Sequence, residues 1–316
     1  MLVALVLLAL LGGLTAWRVG AQARAAEAAF PPEGEFVEVD GWRVHYVTRG
    51  EGPDLVLIHG ASGNSRDMTF RFMGMLEDRY RVTAFDRPGL GYTDGVVRRR
   101  SDPRGETPME QADLLRAAAG EMGIERPIVL GHSFGGSVAM AWALGDPEGT
   151  AAVVDVSGAT MPWPGLLNWT YRVTEGRLSG AVVPWLIAAW TPQRFVDRAI
   201  AGTFRPQEVP DSYAESLGAP LAVRAASFRA NARQVNALRA AVEEMSARYA
   251  SLRMPLEIVH GDADTIVWLE IHSRPLSRIV PGANLTVLEG AGHMPHHTHP
   301  EAVIAAIDRA RARAGL

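Results

Sequence analysis

The sequence contains no cysteine and no lysine. Without thiols, disulfides, thiolate metal sites and a cysteine nucleophile are excluded. Arginine is the sole basic alkyl side chain, which reads as a base-composition bias rather than a functional feature. Charge imbalance is small: 31 basic against 35 acidic side chains give a formal net charge of -4. No basic stripe stands out, which argues against a nucleic-acid partner. Internal repeats are missing, and low complexity is confined to the N-terminal alanines. At 316 residues the chain is long for one ordinary domain and short for two, a size common for an α/β core with an insertion.

The longest hydrophobic run stands at the start. "MLVALVLLALLGGLTAW" is uncharged to Trp17 and closed by Arg18. A bilayer core needs about 20 apolar residues, with about 17 as the practical minimum. An export signal needs a basic n-region, which is absent here, although "AQA" at 21–23 could be cut. The favoured reading is an uncleaved single-span membrane anchor over residues 1–20, with a cleaved export signal as the alternative. Arg18 and Arg24 give only a weak positive-inside bias. Residues 21–35 read as a linker, a short helical stalk ending at Pro31-Pro32.

From residue 36 onwards strand and helix signals alternate. "FVEVDGWRVHYVTRG" predicts two strands around a turn at Asp40-Gly41. "DLVLIHG" and "YRVTAFDRPGLG" are apolar runs ending in turns, the mark of strands buried on both faces. Further strands are expected in "PIVLGHS", "AAVVDVSG", "LEIVHGDAD" and "NLTVLEGAGH". Helices are expected between them, near 268–280 and from about 300. The fold class is therefore α/β, with a mostly parallel central sheet flanked by helices. Function in such sheets gathers where the strands end.

Gly131-His132-Ser133-Phe134-Gly135 lies between a predicted strand and a predicted helix. So tight a strand–turn–helix strains the central residue and leaves room only for glycine two positions either side. It lifts the serine Oγ clear of the sheet at a helix N-terminus, where negative charge is favoured. Serine alone is a weak nucleophile and needs a base that is oriented by a carboxylate. Asp264 in "VHGDADTIV" and His293 in "LEGAGHMPHHTHP" each follow a separate predicted strand. The order Ser…Asp…His is the one that a nucleophile-elbow sheet requires. Upstream, "LIHGASG" places the Ala61 N–H where it could join the Phe134 N–H as an oxyanion hole.

These motifs resemble the α/β-hydrolase fold superfamily, in particular its serine esterases and lipases with a cap. The matching pieces are "HGASG", "DRPGLGYT", "GHSFGG", "GDADTIV" and "GAGHMPHHTHP", and the resemblance covers roughly residues 36–313. It implies Ser133 as nucleophile, Asp264 as triad acid, His293 as base, and Ala61 and Phe134 as oxyanion donors. It implies no cofactor. Relatives with aspartate at the elbow are epoxide hydrolases and haloalkane dehalogenases, and Ser133 argues against both chemistries. "DRPGLG" lacks a third glycine and reads as a turn supporting the sheet, not as a phosphate site.

Other acids and histidines compete for these roles. Asp262 lies two residues before Asp264, and Asp155 lies in a strand from which some relatives take the acid; the spacing G-x-x-D favours Asp264. His132 is read as packing or as a pocket neighbour, and His59 as holding loops by hydrogen bonds. His293, His296, His297 and His299 suggest a metal site by composition. No carboxylate joins them at a familiar ligand spacing, so no metal is expected.

The segment 160–252 is too long for a loop and reads as a helical cap inserted in a core of residues 36–159 and 253–316. Trp163, Trp169, Trp185 and Trp190 make it rich in large apolar groups, so a largely apolar pocket is expected, with His59, His132, Trp163 and Trp185 as candidate substrate contacts. Its latter half, "PLAVRAASFRANARQVNALRAAVEEMSARYA", is more polar and is expected to cover the outside. The expected function is hydrolysis of lipophilic carboxylic esters such as monoacylglycerols. The rivals are a carbon–carbon bond hydrolase of the meta-cleavage type, a cofactor-free haloperoxidase or perhydrolase, and a non-catalytic small-molecule receptor on the same fold.

Overall fold

The computed structural model describes residues 1–95, 105–165, 167, 169–174, 176 and 178–316. Strands β1 (Glu35–Val39), β2 (Trp42–Arg49), β3 (Asp54–Ile58), β4 (Arg81–Phe85), β5 (Ile128–His132), β6 (Ala152–Val156), β7 (Leu256–Gly261) and β8 (Asn284–Leu288) form one sheet in the order β1-β2-β4-β3-β5-β6-β7-β8. β1 and β2 are antiparallel, β2 runs antiparallel to β4, and the remaining pairs are parallel. The helices longer than one turn are α1 (Leu2–Ala29), α2 (Pro108–Glu121), α3 (Phe134–Gly145), α4 (Ser179–Trp190), α5 (Gln193–Phe204), α6 (Ala225–Ser246), α7 (Ser273–Ile279) and α8 (Pro300–Ala314).

The apolar runs read as strands buried on both faces are so. Val56 and Ile58 of β3 join a core with α2 and α3, whereas Leu55 and Leu57 pack on the other face with Val303, Ala306 and Ile307 of α8. This two-residue alternation fixes the strand ends, and with them the loops after β3, β5, β7 and β8. Helix α2 starts at a reciprocal cap. The Thr107 hydroxyl accepts from the Glu110 N–H, and the Glu110 carboxylate accepts from the Thr107 N–H at 2.8 Å.

Between β6 and β7 the chain inserts α4, α5 and α6 with short helical turns. The polar run expected on the outside behaves differently. On α6, Val235, Leu238, Val242 and Met245 are buried in the main core, and Asn231 and Gln234 are buried beside them. The run is polar in composition yet amphipathic in arrangement, and one face seals the sheet.

The N-terminal run and the stretch expected as a stalk form the single helix α1. Among the described residues, one helix is thus long and apolar enough to cross a membrane by length and composition. Its first half is exposed, and contact begins at Thr15. The Trp190 indole N–H donates to the Thr15 hydroxyl at 3.2 Å, and Arg18 donates to the Ala189 carbonyl at 2.9 Å while its guanidinium lies 4.4 Å over the Trp190 ring. Further along, Glu27 pairs with Arg224 at 2.8 Å and the Tyr92 hydroxyl donates to the Phe30 carbonyl.

Candidate active site

Ser133 occupies the turn between β5 and α3 with φ 55° and ψ -117°, a region that non-glycine residues rarely adopt. The turn closes because its flanking residues are glycines. A Cβ on Gly131 would lie 2.1 Å from the Gly135 carbonyl oxygen, and one on Gly135 would lie 2.2 Å from that of Ile58. Backbone bonds hold the strained residue: the Ser133 N–H donates to Val156 at 3.0 Å, and its carbonyl accepts from the Ala159 N–H at 3.0 Å.

The loops after β7 and β8 bring two further side chains to it. His293 Nε2 lies 2.9 Å from Ser133 Oγ, and His293 Nδ1 lies 2.7 Å from Asp264 Oδ2. The second oxygen of Asp264 accepts from the Ile266 and Val267 N–H groups at 2.8 and 3.0 Å. Burial would raise the Asp264 carboxyl, but the hydrogen bonds from His260 and His293 outweigh that and hold it well below the usual carboxylate range. An ionised Asp264 fixes the His293 proton on Nδ1, leaving the Nε2 lone pair towards the hydroxyl. All three groups are buried; Ser133 keeps 8 % exposure and His293 4 %, whereas the Asp264 carboxylate is fully covered.

The competing acids lie elsewhere. Asp262 is exposed and caps the next turn by accepting from the Gly290 N–H at 2.7 Å. Asp155 is fully buried inside β6, and its oxygens have no hydrogen-bond partner among the described residues. Burial pushes its carboxyl up to about 7, against an opposing pull from His260.

Phe134 follows Ser133, and Gly60, which precedes Ala61, lies against it, a Cβ there falling 3.1 Å from Ser133 Cβ. Among the described residues no protein hydrogen bond uses the Ala61 or Phe134 N–H. His59 is fully buried next to Gly60. Its Nε2 accepts from the Arg87 N–H at 3.0 Å, so its Nδ1–H donates to the Gly60 carbonyl at 2.8 Å. Burial and the nearby Arg87 charge lower its pKa to about 4, which keeps the ring neutral. His132 donates from Nε2 to the His293 carbonyl at 2.8 Å, tying the elbow to the loop that carries His293. Trp163 packs on the main core with its ring 5.9 Å from that of His272. Trp185 and Trp169 are 39 % and 71 % exposed, so the structure leaves both on the surface. A groove of about 690 Å³ lined by residues such as Glu33, Phe36, Tyr46 and Arg81 lies at the β1–β2 side of the sheet and contains none of the candidate residues.

Sequence reading missed two residues. The histidine group does acquire a carboxylate: Asp67, from the turn after β3, offers an oxygen that lies with one nitrogen each of His132 and His296 inside 4.8 Å. Asp67 also accepts from Tyr213 at 2.7 Å and from His297 at 2.9 Å, which joins the inserted segment to the core. His299 turns away to Thr298. The second is Arg87, in the "DRPGLG" turn, whose side chain is fully buried, bonded to the Gly60 carbonyl and stacked on the Phe134 ring.

This sheet order, with a serine raised on a strand–helix turn and a histidine and carboxylate aligned behind it, defines the α/β hydrolases. Residues 55–306 match the Alpha/beta hydrolase family, and the chain belongs to that family. An uncharacterised protein of Mycobacterium tuberculosis is 27% identical over 287 residues, covering 88% of this chain and 81% of that protein. A 2-hydroxy-6-oxononadienedioate/2-hydroxy-6-oxononatrienedioate hydrolase of Pseudomonas putida is 28% identical over 278 residues, covering 82% and 88%. Among solved structures, a membrane phospholipase A described as a bacterial virulence factor superposes with a TM-score of 0.68 at 22% identity, over 98% of both chains.

Proposed function

We propose that the protein hydrolyses carboxylic esters of apolar acyl groups through an acyl-enzyme on Ser133. The observation that carries this reading is the continuous hydrogen-bonded chain from Ser133 Oγ through His293 to Asp264. His293 Nε2 takes the hydroxyl proton as Oγ attacks the ester carbonyl, and the Ala61 and Phe134 N–H groups receive the oxyanion. Asp264 stabilises the imidazolium, which then protonates the departing alkoxide. In the second half His293 activates water against the acyl-enzyme, and Ser133 recovers its proton.

The apolar bias towards substrate is supported by the aromatic and aliphatic inserted segment and by α1. We place α1 as a single-pass anchor, a reading supported by its uncharged exposed half and by the likeness over almost the full chain to a membrane phospholipase A. An exported form cut after 21–23 is the alternative. The Pseudomonas putida relative supports a second chemistry, carbon–carbon bond hydrolysis at the same serine.

The test is full-length protein in detergent micelles assayed on p-nitrophenyl esters of graded acyl length and on a meta-cleavage dienedioate. Ester turnover that grows with chain length and disappears in Ser133→Ala is expected. Turnover surviving in Ser133→Ala, or seen with the dienedioate alone, refutes the esterase reading.

A further inference from the structure

Arg87 is an unusual charge to find at zero exposure in the middle of a protein. Its guanidinium is aimed rather than merely accommodated. One amino group donates to the Gly60 carbonyl at 3.0 Å. The other donates to Gln111 Oε1 at 2.8 Å and to Gln234 Oε1 at 3.1 Å. Its Cζ lies 4.2 Å from the centroid of the Phe134 ring. Gln234 donates in turn to Glu106 Oε2 at 3.0 Å, which links the buried cation to a buried counter-charge.

The Gly60 carbonyl and the Ala61 N–H belong to one peptide group. That carbonyl receives two donors at once, Arg87 Nη2 and His59 Nδ1–H, and the Arg87 backbone N–H fixes the His59 tautomer. Drawing electron density toward the oxygen of an amide makes its N–H a stronger donor, and each hydrogen bond in such a chain adds about 10–30%. The same guanidinium steadies Phe134, whose backbone N–H is the other oxyanion donor.

We propose that Arg87 is a positioning residue of the oxyanion hole. It holds and polarises the Gly60–Ala61 peptide and braces Phe134, so that both N–H groups meet the charge that forms in the transition state. This rests on the reading of Ser133 as nucleophile. The effect belongs to the transition state and not to substrate binding, because the oxygen carries its full charge only there.

The test uses the full chain in detergent micelles, with a p-nitrophenyl ester as substrate and an alkyl trifluoromethyl ketone as the oxyanion-forming probe. Ser133 Oγ adds to the ketone carbon, its proton passes to His293 Nε2, and the carbonyl π pair becomes the oxyanion. In Arg87→Met we expect kcat to fall about tenfold with KM inside about twofold, and the ketone dissociation constant to rise about tenfold. Arg87→Lys, which keeps the charge and loses the fork, recovers part of both. A folded Arg87→Met with unchanged ketone affinity, or with a loss confined to KM, overturns the proposal. Should Arg87→Met fail to fold, Glu106→Gln decides. Removing the counter-charge leaves the guanidinium field less compensated, so ketone binding tightens about threefold, whereas a purely structural role predicts no change or weakening. Unchanged or weaker binding there overturns the proposal. If wild type neither cleaves the ester nor binds the ketone, both ideas fall, and the missing wild-type signal identifies the nucleophile reading as the cause.

Discussion

Asp155→Asn tests the electrostatics of the core directly. Asp155 sits in β6 with both carboxyl oxygens buried and without a partner among the described residues, and burial raises it from 3.8 to about 7. A folded pKa above the unfolded one means that the native state binds this proton more tightly than the unfolded chain does. Stability therefore falls as pH rises above 3.8, and the decline levels off once pH passes the folded value near 7. With these two values the native state is disfavoured by about 2 kcal/mol at pH 5 and by about 4 kcal/mol at pH 8. Asparagine carries no such pH dependence, and the packing change it introduces is the same at both pH values. Chemical denaturation of wild type and Asp155→Asn in one detergent should give a variant-minus-wild-type stability about 2–3 kcal/mol larger at pH 8 than at pH 5. Equal differences at the two pH values would refute the claim that this carboxylate lacks partners. The same variant addresses the acid assignment, because Asp264 already bonds His293: ester turnover should stay within a few-fold of wild type.

Three further outcomes are expected. Asp264→Asn should lower kcat by about 10³–10⁴, since the His293 tautomer is lost, and should also lower the unfolding midpoint at neutral pH, since the fold stabilises the ionised carboxylate; stopped-flow acylation reads the first effect, and a loss below tenfold argues against the triad. Gly135→Ala places a Cβ about 2 Å from a β3 carbonyl oxygen, so soluble yield or the melting temperature should fall steeply, as circular dichroism would show. Exhaustive chelation should leave ester turnover unchanged, and loss of activity that returns with a divalent cation would point instead to Asp67, His132 and His296.

Much of the site could be read because a parallel sheet puts its chemistry in short loops after its strands, and each such loop here carries a local signature. Ser133 is marked by two glycines that a steric clash enforces, and Asp264 and His293 follow apolar runs that end in glycine turns. What could not be read depends on contacts across the fold. Asp67 precedes His296 by more than two hundred residues, and they meet only because the loops after β3 and β8 converge in the folded sheet, 3.4 Å apart. Arg87 looks like one more charged turn residue until Phe134 is seen lying over it. The polar composition of α6 hid a buried face because its apolar residues are few but correctly spaced. The continuity of α1 was masked by a change in composition at Arg18 that marks a change of environment, not the end of a helix.

The position of Thr15 has a further consequence for α1. The helix is unbroken from its exposed apolar half through Thr15 and Arg18, where it is bonded to the Trp190 end of α4. On the anchoring proposed above, that continuity leaves no loose tether between membrane and body, so the Trp190 end of α4 lies beside the lipid headgroups. A rigid mooring of that kind fixes the draught at which the molecule rides, and every turn added to or deleted from the free end would raise or lower the whole hydrolase relative to the bilayer surface.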